Sequence, residues 1–413
     1  MTNFIKGTNG RLLLMVVFIL QLLVFAHYTN IQVLLDIKPV QDVVHFEGKH
    51  GLTYYSVKGK TIEKPEIETR ASLSLVDIFL SGFNTTRRPD IVLNGRHTIM
   101  MYTSHDLLKL GRINSYMPLC EYNNCNLTTN TKKLHTSSAV VFYIQLHVHT
   151  LELPPIPRHL KNPNQPWVFL VRESQPYYDT SAWMKDEWRD MFNWSMSYRL
   201  DSDILSPYGH LKTTTSPVSK NYTDIWSKKT NMAVWIVSNC ETQSMRNKFV
   251  KQLAIHGVSV DIFGKCGKNV TGDISALLSK YKFYLALENS FCEDYITEKL
   301  FSRYNEDLVV IARGGANYKE LLPTNTYINA LDYNTTKELA ESMLTLSNDK
   351  GAYINFLKRK DKYEAEGPWP FGWMHGFCEL CKRVNDVDKY RKNHKSPADF
   401  LYKPQCTKPS NGQ

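Results

Sequence analysis

The sequence predicts an α/β protein: two Rossmann-like, doubly wound domains facing a cleft, preceded by a single transmembrane helix. Three observations carry this reading. From Asp77 onward, apolar runs of strand length alternate with helix-spaced stretches, the pattern of parallel sheets. Seven such runs can be read, which suits two doubly wound domains better than one. An uncharged apolar run at 12–26, LLLMVVFILQLLVFA, follows the basic Lys6 and Arg11. With 413 residues, 42% of them hydrophobic, the chain can bury a sizeable core.

Taken in order, 1–11 reads as a cytoplasmic tail and 12–28 as a signal-anchor. At helical rise the apolar run reaches roughly 23–26 Å, a little short of a typical bilayer core and better matched to thin early secretory membranes. Basic residues before it favour a cytoplasmic N-terminus and a luminal body. A cleaved signal peptide is the competing reading, with Val24-Phe25-Ala26 as its cleavage site. Residues 29–75 have weak periodicity and scattered charge, as a stem would. The strand-like runs are 98–103 (TIMMYT), 139–144 (AVVFYI), 167–171 (WVFLV), 232–237 (MAVWIV), 258–263 (VSVDIF), 283–287 (FYLAL) and 308–311 (LVVI). Helices are expected at 243–256 and 295–304. The polar stretch 209–229, with its threonine run and Pro217, reads as the interdomain linker. The domains are therefore drawn at 76–220 and 221–370, with a tail at 371–413.

Sequons at Asn84, Asn126, Asn193, Asn221, Asn269 and Asn334 follow the anchor and fit a luminal body. Eight cysteines fit an oxidising compartment, and their connectivity is not deducible from spacing. Cys378-Glu379-Leu380-Cys381 leaves three readings open: half of a zinc site with Cys120 and Cys125, a redox motif, or structural disulfides. Cys240 and Cys266 flank one strand-helix-strand unit and are expected to pair. The net charge of +10 raises the question of nucleic acid. Much of the excess sits at Lys382, Arg383, Lys389, Arg391, Lys392 and Lys395, without aromatic interleaving or a nucleic-acid-binding motif. No nucleic-acid partner is expected, and the basic tail reads as a solvated face.

The most informative stretch is 281–301, YKFYLALENSFCEDYITEKLF. An apolar strand breaks at Glu288-Asn289-Ser290, and helix spacing resumes at Ile296, Leu300 and Phe301, with Asp294 as the expected cap. A strand feeding a helix N-terminus favours phosphate, and Lys299 adds a point charge there. Asn289, Tyr295 and Glu298 can grip hydroxyls and a base. This predicts a nucleotide-sugar pocket.

The block closely resembles the signature of the α1,3-fucosyltransferases (glycosyltransferase family 10), roughly FENSxxxDYxTEKL. It is met at Glu288, Asn289, Ser290, Asp294, Tyr295, Thr297, Glu298, Lys299 and Leu300. The resemblance extends in order over most of 95–385, through 167–173 (WVFLVRE), 192–209, Ser238-Asn239 with Arg246, and 260–267. It departs in two places. Family members have Glu-Ser-Pro where this chain has Glu173-Ser174-Gln175-Pro176. Many also have a proline in the strand that here reads 308–315, LVVIARGG.

The resemblance implies the GT-B fold and an inverting α1,3-fucosyltransferase. It would move fucose from GDP-fucose to the 3-hydroxyl of N-acetylglucosamine in glycoprotein or glycolipid glycans. It further implies Glu173 as the catalytic base and Arg246, Asn289, Tyr295, Glu298 and Lys299 as donor-binding residues. The half at 76–220 would face the acceptor and that at 221–370 would bind the donor. No cofactor is implied as obligatory, a divalent metal being at most stimulatory, so Asp201-Ser202-Asp203 reads as structural or acceptor-side rather than as a metal triplet. The C-terminal CxxC is implied to form disulfides tying the tail to the N-terminal half, and the uncleaved anchor of a single-pass type II Golgi membrane protein is favoured. Two rivals stand: a non-catalytic glycan-binding relative, and a luminal transferase using another sugar nucleotide.

Overall fold

The computed structural model describes residues 44–47, 53–57, 60–61, 93, 95–103, 110–144, 152–178, 181–214, 219–367, 371–403 and 405–409. Residues 1–71 and 72–413 form separate compact units. The predicted tail and anchor lie outside the described residues. Among the described residues no helix is long and apolar enough to cross a membrane. Within the predicted stem, Val44–Glu47, Thr53–Val57 and Lys60–Thr61 form a small antiparallel sheet where no strand was expected. TYYSV carries strand-forming residues, although its polar neighbours mask them.

The larger unit holds two all-parallel sheets. The first consists of β1 (His97–Thr103), β2 (Cys125–Thr128), β3 (Ala139–Ile144), β4 (Trp167–Val171), β5 (Trp194–Ser197) and β6 (Ile204–Leu205), in the order β2-β1-β3-β4-β5-β6. The second consists of β7 (Asn231–Ile236), β8 (Val260–Phe263), β9 (Tyr281–Leu287), β10 (Val309–Arg313) and β11 (Ile328–Asn329), in the order β8-β7-β9-β10-β11. All seven predicted runs are strands, displaced by at most two residues at either end. β3 and β4 are buried throughout, which is why they read as continuous apolar runs rather than alternating ones.

Helix α1 (Leu110–Tyr116) packs on one face of the first sheet, where Ile113 meets Ile99, Met101, Val141, Val168 and Leu170. The opposite face is an aromatic nest in which Phe142 lies 4.8 Å from Trp167 and 5.5 Å from Phe192. The second sheet is covered on one face by α2 (Arg246–Ile255), α3 (Thr336–Asn348) and α4 (Lys350–Lys360), through Phe249, Leu253, Leu339, Met343, Tyr353 and Leu357. On its other face lies α5 (Glu298–Tyr304), through Leu300, Phe301 and Tyr304.

The expected linker is only partly irregular. Its first residues form a strand, His210–Thr213, paired antiparallel with Tyr363–Glu366, and Tyr222–Lys228 is a short helix capped by Asn221. The C-terminal segment is tied to the N-terminal half by disulfides, as the resemblance implied, and it also packs there. Helix α6 (Phe371–Val384) returns to the first sheet and buries Met374, Phe377, Leu380 and Val384 in the cluster that holds Ile99 and Met196. Disulfides Cys120–Cys378 and Cys125–Cys381 fix it there, joined by Cys240–Cys266 and Cys292–Cys406. Cys378 and Cys381 are thus disulfide-bonded to separate partners, and the zinc and redox readings fall away.

The basic surface of this segment is largely paired. Arg383 meets Glu379 at 2.9 Å, Lys392 meets Asp203 at 2.5 Å, and Arg391 meets Asp388.

Candidate active site

Strand β4 is followed by a buried arginine. Arg172 is 2% exposed, and its guanidinium donates to the carbonyls of Ser206 (3.1 Å), Pro207 (3.3 Å) and Gly372 (3.2 Å) and to the Ser206 hydroxyl (3.0 Å). The rings of Tyr208 and Trp373 lie 4.2 and 4.1 Å from it. Neutral acceptors and π faces together compensate the buried charge. Tyr208 returns a hydrogen bond from its hydroxyl to the Arg172 carbonyl at 2.6 Å. The backbone immediately before Glu173 is therefore fixed by groups from the 206–208 loop and α6.

Beyond Glu173, the Ser174 hydroxyl lies 2.5 Å from that of Ser290, both fully buried. Gln175–Tyr177 forms one 3₁₀ turn that holds the displaced Pro176. The Tyr177 hydroxyl accepts from the Gln243 amide at 3.3 Å and donates to the Asn289 carbonyl at 3.5 Å. The loop after β4 is thus stitched to the second sheet.

The facing loop, 288–297, leaves the C-terminal end of β9. Loops at the C-terminal edges of parallel strands are where open α/β sheets bind ligands. The helix expected from Tyr295 starts instead at Glu298, and its cap is Thr297, whose side chain accepts from the Lys299 amide. Asp294 is not the cap. It sits at φ +59°, in the left-handed region that aspartate tolerates, and its carboxylate accepts from the Leu200 amide at 3.0 Å.

The expected capping carboxylate comes from the end of β9. Glu288, 1% exposed, accepts from the Thr297 amide at 2.8 Å, the Thr297 hydroxyl at 2.9 Å and the Lys299 ammonium at 3.1 Å. Burial pushes the Glu288 carboxyl upward against the pull of Lys299. Burial works against the Lys299 ammonium too, yet Glu288 and Glu298 hold its pKa above the usual lysine value.

The remaining expected residues lie around this loop. Arg246, 3% exposed, opens α2 and donates to the carbonyls of Leu287 and Asn239, each at 2.8 Å; its Nε has no partner among the described residues. Burial lowers its pKa. Asn289 is partly buried, its carbonyl accepting from the Ser244 amide at 3.0 Å and its side chain from the Ser290 hydroxyl at 3.3 Å. The Glu298 side chain is 46% exposed, 3.5 Å from Lys299. Tyr295 is 1% exposed, and its hydroxyl donates to Oε2 of Glu173 at 3.1 Å. The structure therefore brings Glu173 onto Tyr295, and gathers Glu288, Glu298 and Lys299 at the start of α5.

Sequence reasoning assigned no role to Glu288, Arg172 or Arg313. Arg313 ends β10 as Arg172 follows β4: it is 1% exposed, lies 4.5 and 4.6 Å from the rings of Phe249 and Phe291, and donates to the Ser244 carbonyl at 2.9 Å. The available signal was an arginine closing an otherwise apolar run. Gly315 follows, and a methyl added there would lie 2.5 Å from the Cys292 amide nitrogen, so the loop after β10 packs directly on the signature backbone.

Asp201 and Asp203 serve the fold. Asp203 accepts from the Ser195 amide at 2.8 Å and hydroxyl at 2.7 Å, from Lys392 at 2.5 Å and from His394 at 2.6 Å. Burial alone would raise its pKa, but the hydrogen bonds from His394, Lys392 and Ser195 hold it far below the usual carboxylate value. Asp201 takes a two-pronged contact from Arg199 at 2.8 and 2.6 Å and pairs with Lys403 at 3.1 Å.

Two doubly wound sheets whose C-terminal loops meet around a carboxylate and a partly buried lysine have the arrangement of a glycosyltransferase of the two-Rossmann, GT-B type. Residues 94–209 match the family described as "Fucosyltransferase, N-terminal", and residues 226–399 match "Glycosyltransferase family 10 (fucosyltransferase) C-term". The chain is 31% identical over 295 residues to alpha-(1,3)-fucosyltransferase fut-6 of Caenorhabditis elegans, covering 68% of this chain and 72% of that protein. It is 34% identical over 274 residues to 3-galactosyl-N-acetylglucosaminide 4-alpha-L-fucosyltransferase FUT3 of Bos taurus, covering 65% and 72%. It is 31% identical over 274 residues to 4-galactosyl-N-acetylglucosaminide 3-alpha-L-fucosyltransferase FUT6 of Homo sapiens, covering 65% and 73%. A crystal structure of an alpha1,3-fucosyltransferase with GDP is similar in fold, with a TM-score of 0.50 at 15% identity over 78% of this chain and 99% of that one. This chain belongs to glycosyltransferase family 10, the fucosyltransferases, and is a glycosyltransferase enzyme.

Proposed function

We propose that this enzyme transfers fucose from GDP-fucose to the 3-hydroxyl of N-acetylglucosamine in glycoprotein or glycolipid glycans, inverting the anomeric centre. The observation that carries the proposal is the convergence of two loops from different sheets: Glu173 after β4 and Tyr295 after β9 lie 3.1 Å apart. Glu173 takes the proton from the acceptor hydroxyl as that oxygen bonds to the anomeric carbon. The bond from that carbon to the phosphate oxygen breaks, and GDP leaves with the electron pair. Lys299 and Arg246 face the growing negative charge, and Glu298, exposed at the start of α5, takes ribose hydroxyls. Asn289 and Tyr295 complete the donor side in the role the family signature implies.

Relatives at similar identity carry names for both 3- and 4-fucosylation, so the linkage is tested with both acceptor isomers. The transfer needs no obligatory divalent metal, a reading supported by the full engagement of Asp201 and Asp203 in ion pairs. The apolar run behind Lys6 and Arg11 and the four disulfides support a type II Golgi membrane protein with a luminal catalytic part. The test is transfer from labelled GDP-fucose by the wild type and by Glu173→Gln. Loss of roughly 10²–10⁴-fold in rate, with GDP binding retained, is the expected result.

A further inference from the structure

We propose that Glu288 is a positioning residue for Lys299, fixing the ammonium so that its one displaceable contact is the one a donor phosphate takes. This rests on the reading that Lys299 faces the charge growing on the departing GDP. Three observations carry it.

The ammonium is held by two oxygens that a ligand cannot reach. Its Nζ lies 3.1 Å from Oε2 of Glu288, which is 1% exposed, and donates at 2.9 Å to the hydroxyl of the fully buried Thr297. Its other carboxylate neighbour is Glu298, 3.5 Å away with a side chain 46% exposed. An ammonium has three N–H donors. Two are taken by buried partners, and the third lies where an exposed carboxylate can give way to a phosphate oxygen. Glu298 is then released to the ribose hydroxyls.

Glu288 is itself fixed on all sides. Its amide donates to the Arg313 carbonyl at 2.9 Å, and its carbonyl accepts from the Ser244 hydroxyl at 2.6 Å. Its carboxylate accepts from both the amide and the hydroxyl of Thr297, at 2.8 and 2.9 Å. A methyl added at Gly314 would lie 3.0 Å from its Cγ, so the loop after β10 closes over the side chain as well. The carboxylate thereby transmits the position of the strand ends to the ammonium.

The charge, finally, exceeds what the helix start requires. Thr297 already caps α5, its side chain accepting from the Lys299 amide, and a neutral acceptor would serve the Thr297 amide equally. A carboxylate is costly to bury unless it is paired and hydrogen-bonded, and the cation that pairs it here is Lys299.

The test is a double-mutant cycle in the full-length enzyme, with labelled GDP-fucose and N-acetyllactosamine as substrates. Glu288→Gln keeps the shape and an acceptor for the Thr297 amide but loses the charge. Its kcat should fall roughly ten- to a hundredfold, with a smaller rise in KM for GDP-fucose, because what is lost is orientation toward charge that grows in the transition state. In a Lys299→Ala background the same replacement should change kcat by no more than about twofold. There it should also raise the melting temperature, because it relieves a lone buried carboxylate.

Losses that multiply across the two sites, or a kcat unmoved by Glu288→Gln, would overturn the proposal. Glu288→Asp, which keeps the charge but draws it back by one methylene, carries the same cycle if the glutamine variant does not fold. Lys299→Ala with full transfer would instead remove the reading of Lys299 itself, so the two failures are told apart.

Discussion

Arg172 and Arg313 show how single residues set the geometry of the site. Each closes an apolar strand, each is buried against aromatic faces, and each donates to backbone carbonyls. Arg172→Ala would leave the carbonyls of Ser206, Pro207 and Gly372 short of a donor, at about 1–3 kcal/mol for each one left buried and unsatisfied. A lower melting temperature together with reduced transfer is expected, since Glu173 is the next residue. Lys299 carries a different load, as the ammonium at the signature loop. Lys299→Ala is expected to cost roughly 10²–10³-fold in transfer rate, checked by steady-state kinetics with the donor varied. It should also weaken the loop, because the buried Glu288 loses its cationic partner.

At the scale of elements, the pair formed by His210–Thr213 and Tyr363–Glu366 offers a test by pH. The hydrogen bond from His210, helped by Lys212, draws the Glu366 carboxyl down to about 2, against an ordinary value of 4.5. A carboxylate with a depressed pKa stabilises the fold fully above its unfolded value, and that contribution is lost as pH falls through the folded one. Thermal stability should therefore drop between about pH 4.5 and 2, and Glu366→Gln should flatten that part of the curve. Gly315→Ala makes a second test at this scale. Its methyl meets the backbone of Phe291–Cys292, so both melting temperature and GDP affinity should fall.

The fully buried strands were legible because burial on both faces writes a continuous apolar run, as in AVVFYI and WVFLV. β5, WSMS, was not legible, because its buried Ser195 is satisfied by Asp203, a partner eight residues away. The two-residue strands β6 and β11 are too short to show any periodicity. Within the signature, the residue types placed the expected site on the loop after β9. The helix start was misplaced, because nothing in the local sequence shows that Glu288, nine residues before Thr297, reaches that amide.

On the scale of the molecule, the C-terminal segment completes the N-terminal sheet. Helix α6 supplies Met374, Phe377 and Leu380 to that core, and Gly372 and Trp373 support the loop carrying Glu173. The Cys120–Cys378 bond closes a loop of 258 residues across the chain. Replacing both cysteines by serine should cost about 2–5 kcal/mol, read by denaturant unfolding, and should lower transfer more than it lowers GDP binding. Losing residues from Phe371 onward should abolish soluble folding outright.

The decisive measurement gives the purified enzyme labelled GDP-fucose with N-acetyllactosamine, its 3-galactosyl isomer and a defined N-glycan, with and without a metal chelator. Label transferred to the 3-hydroxyl of N-acetylglucosamine, surviving chelation and lost in Glu173→Gln, is the predicted result. Full transfer by Glu173→Gln, or transfer only from a different sugar nucleotide, would contradict it.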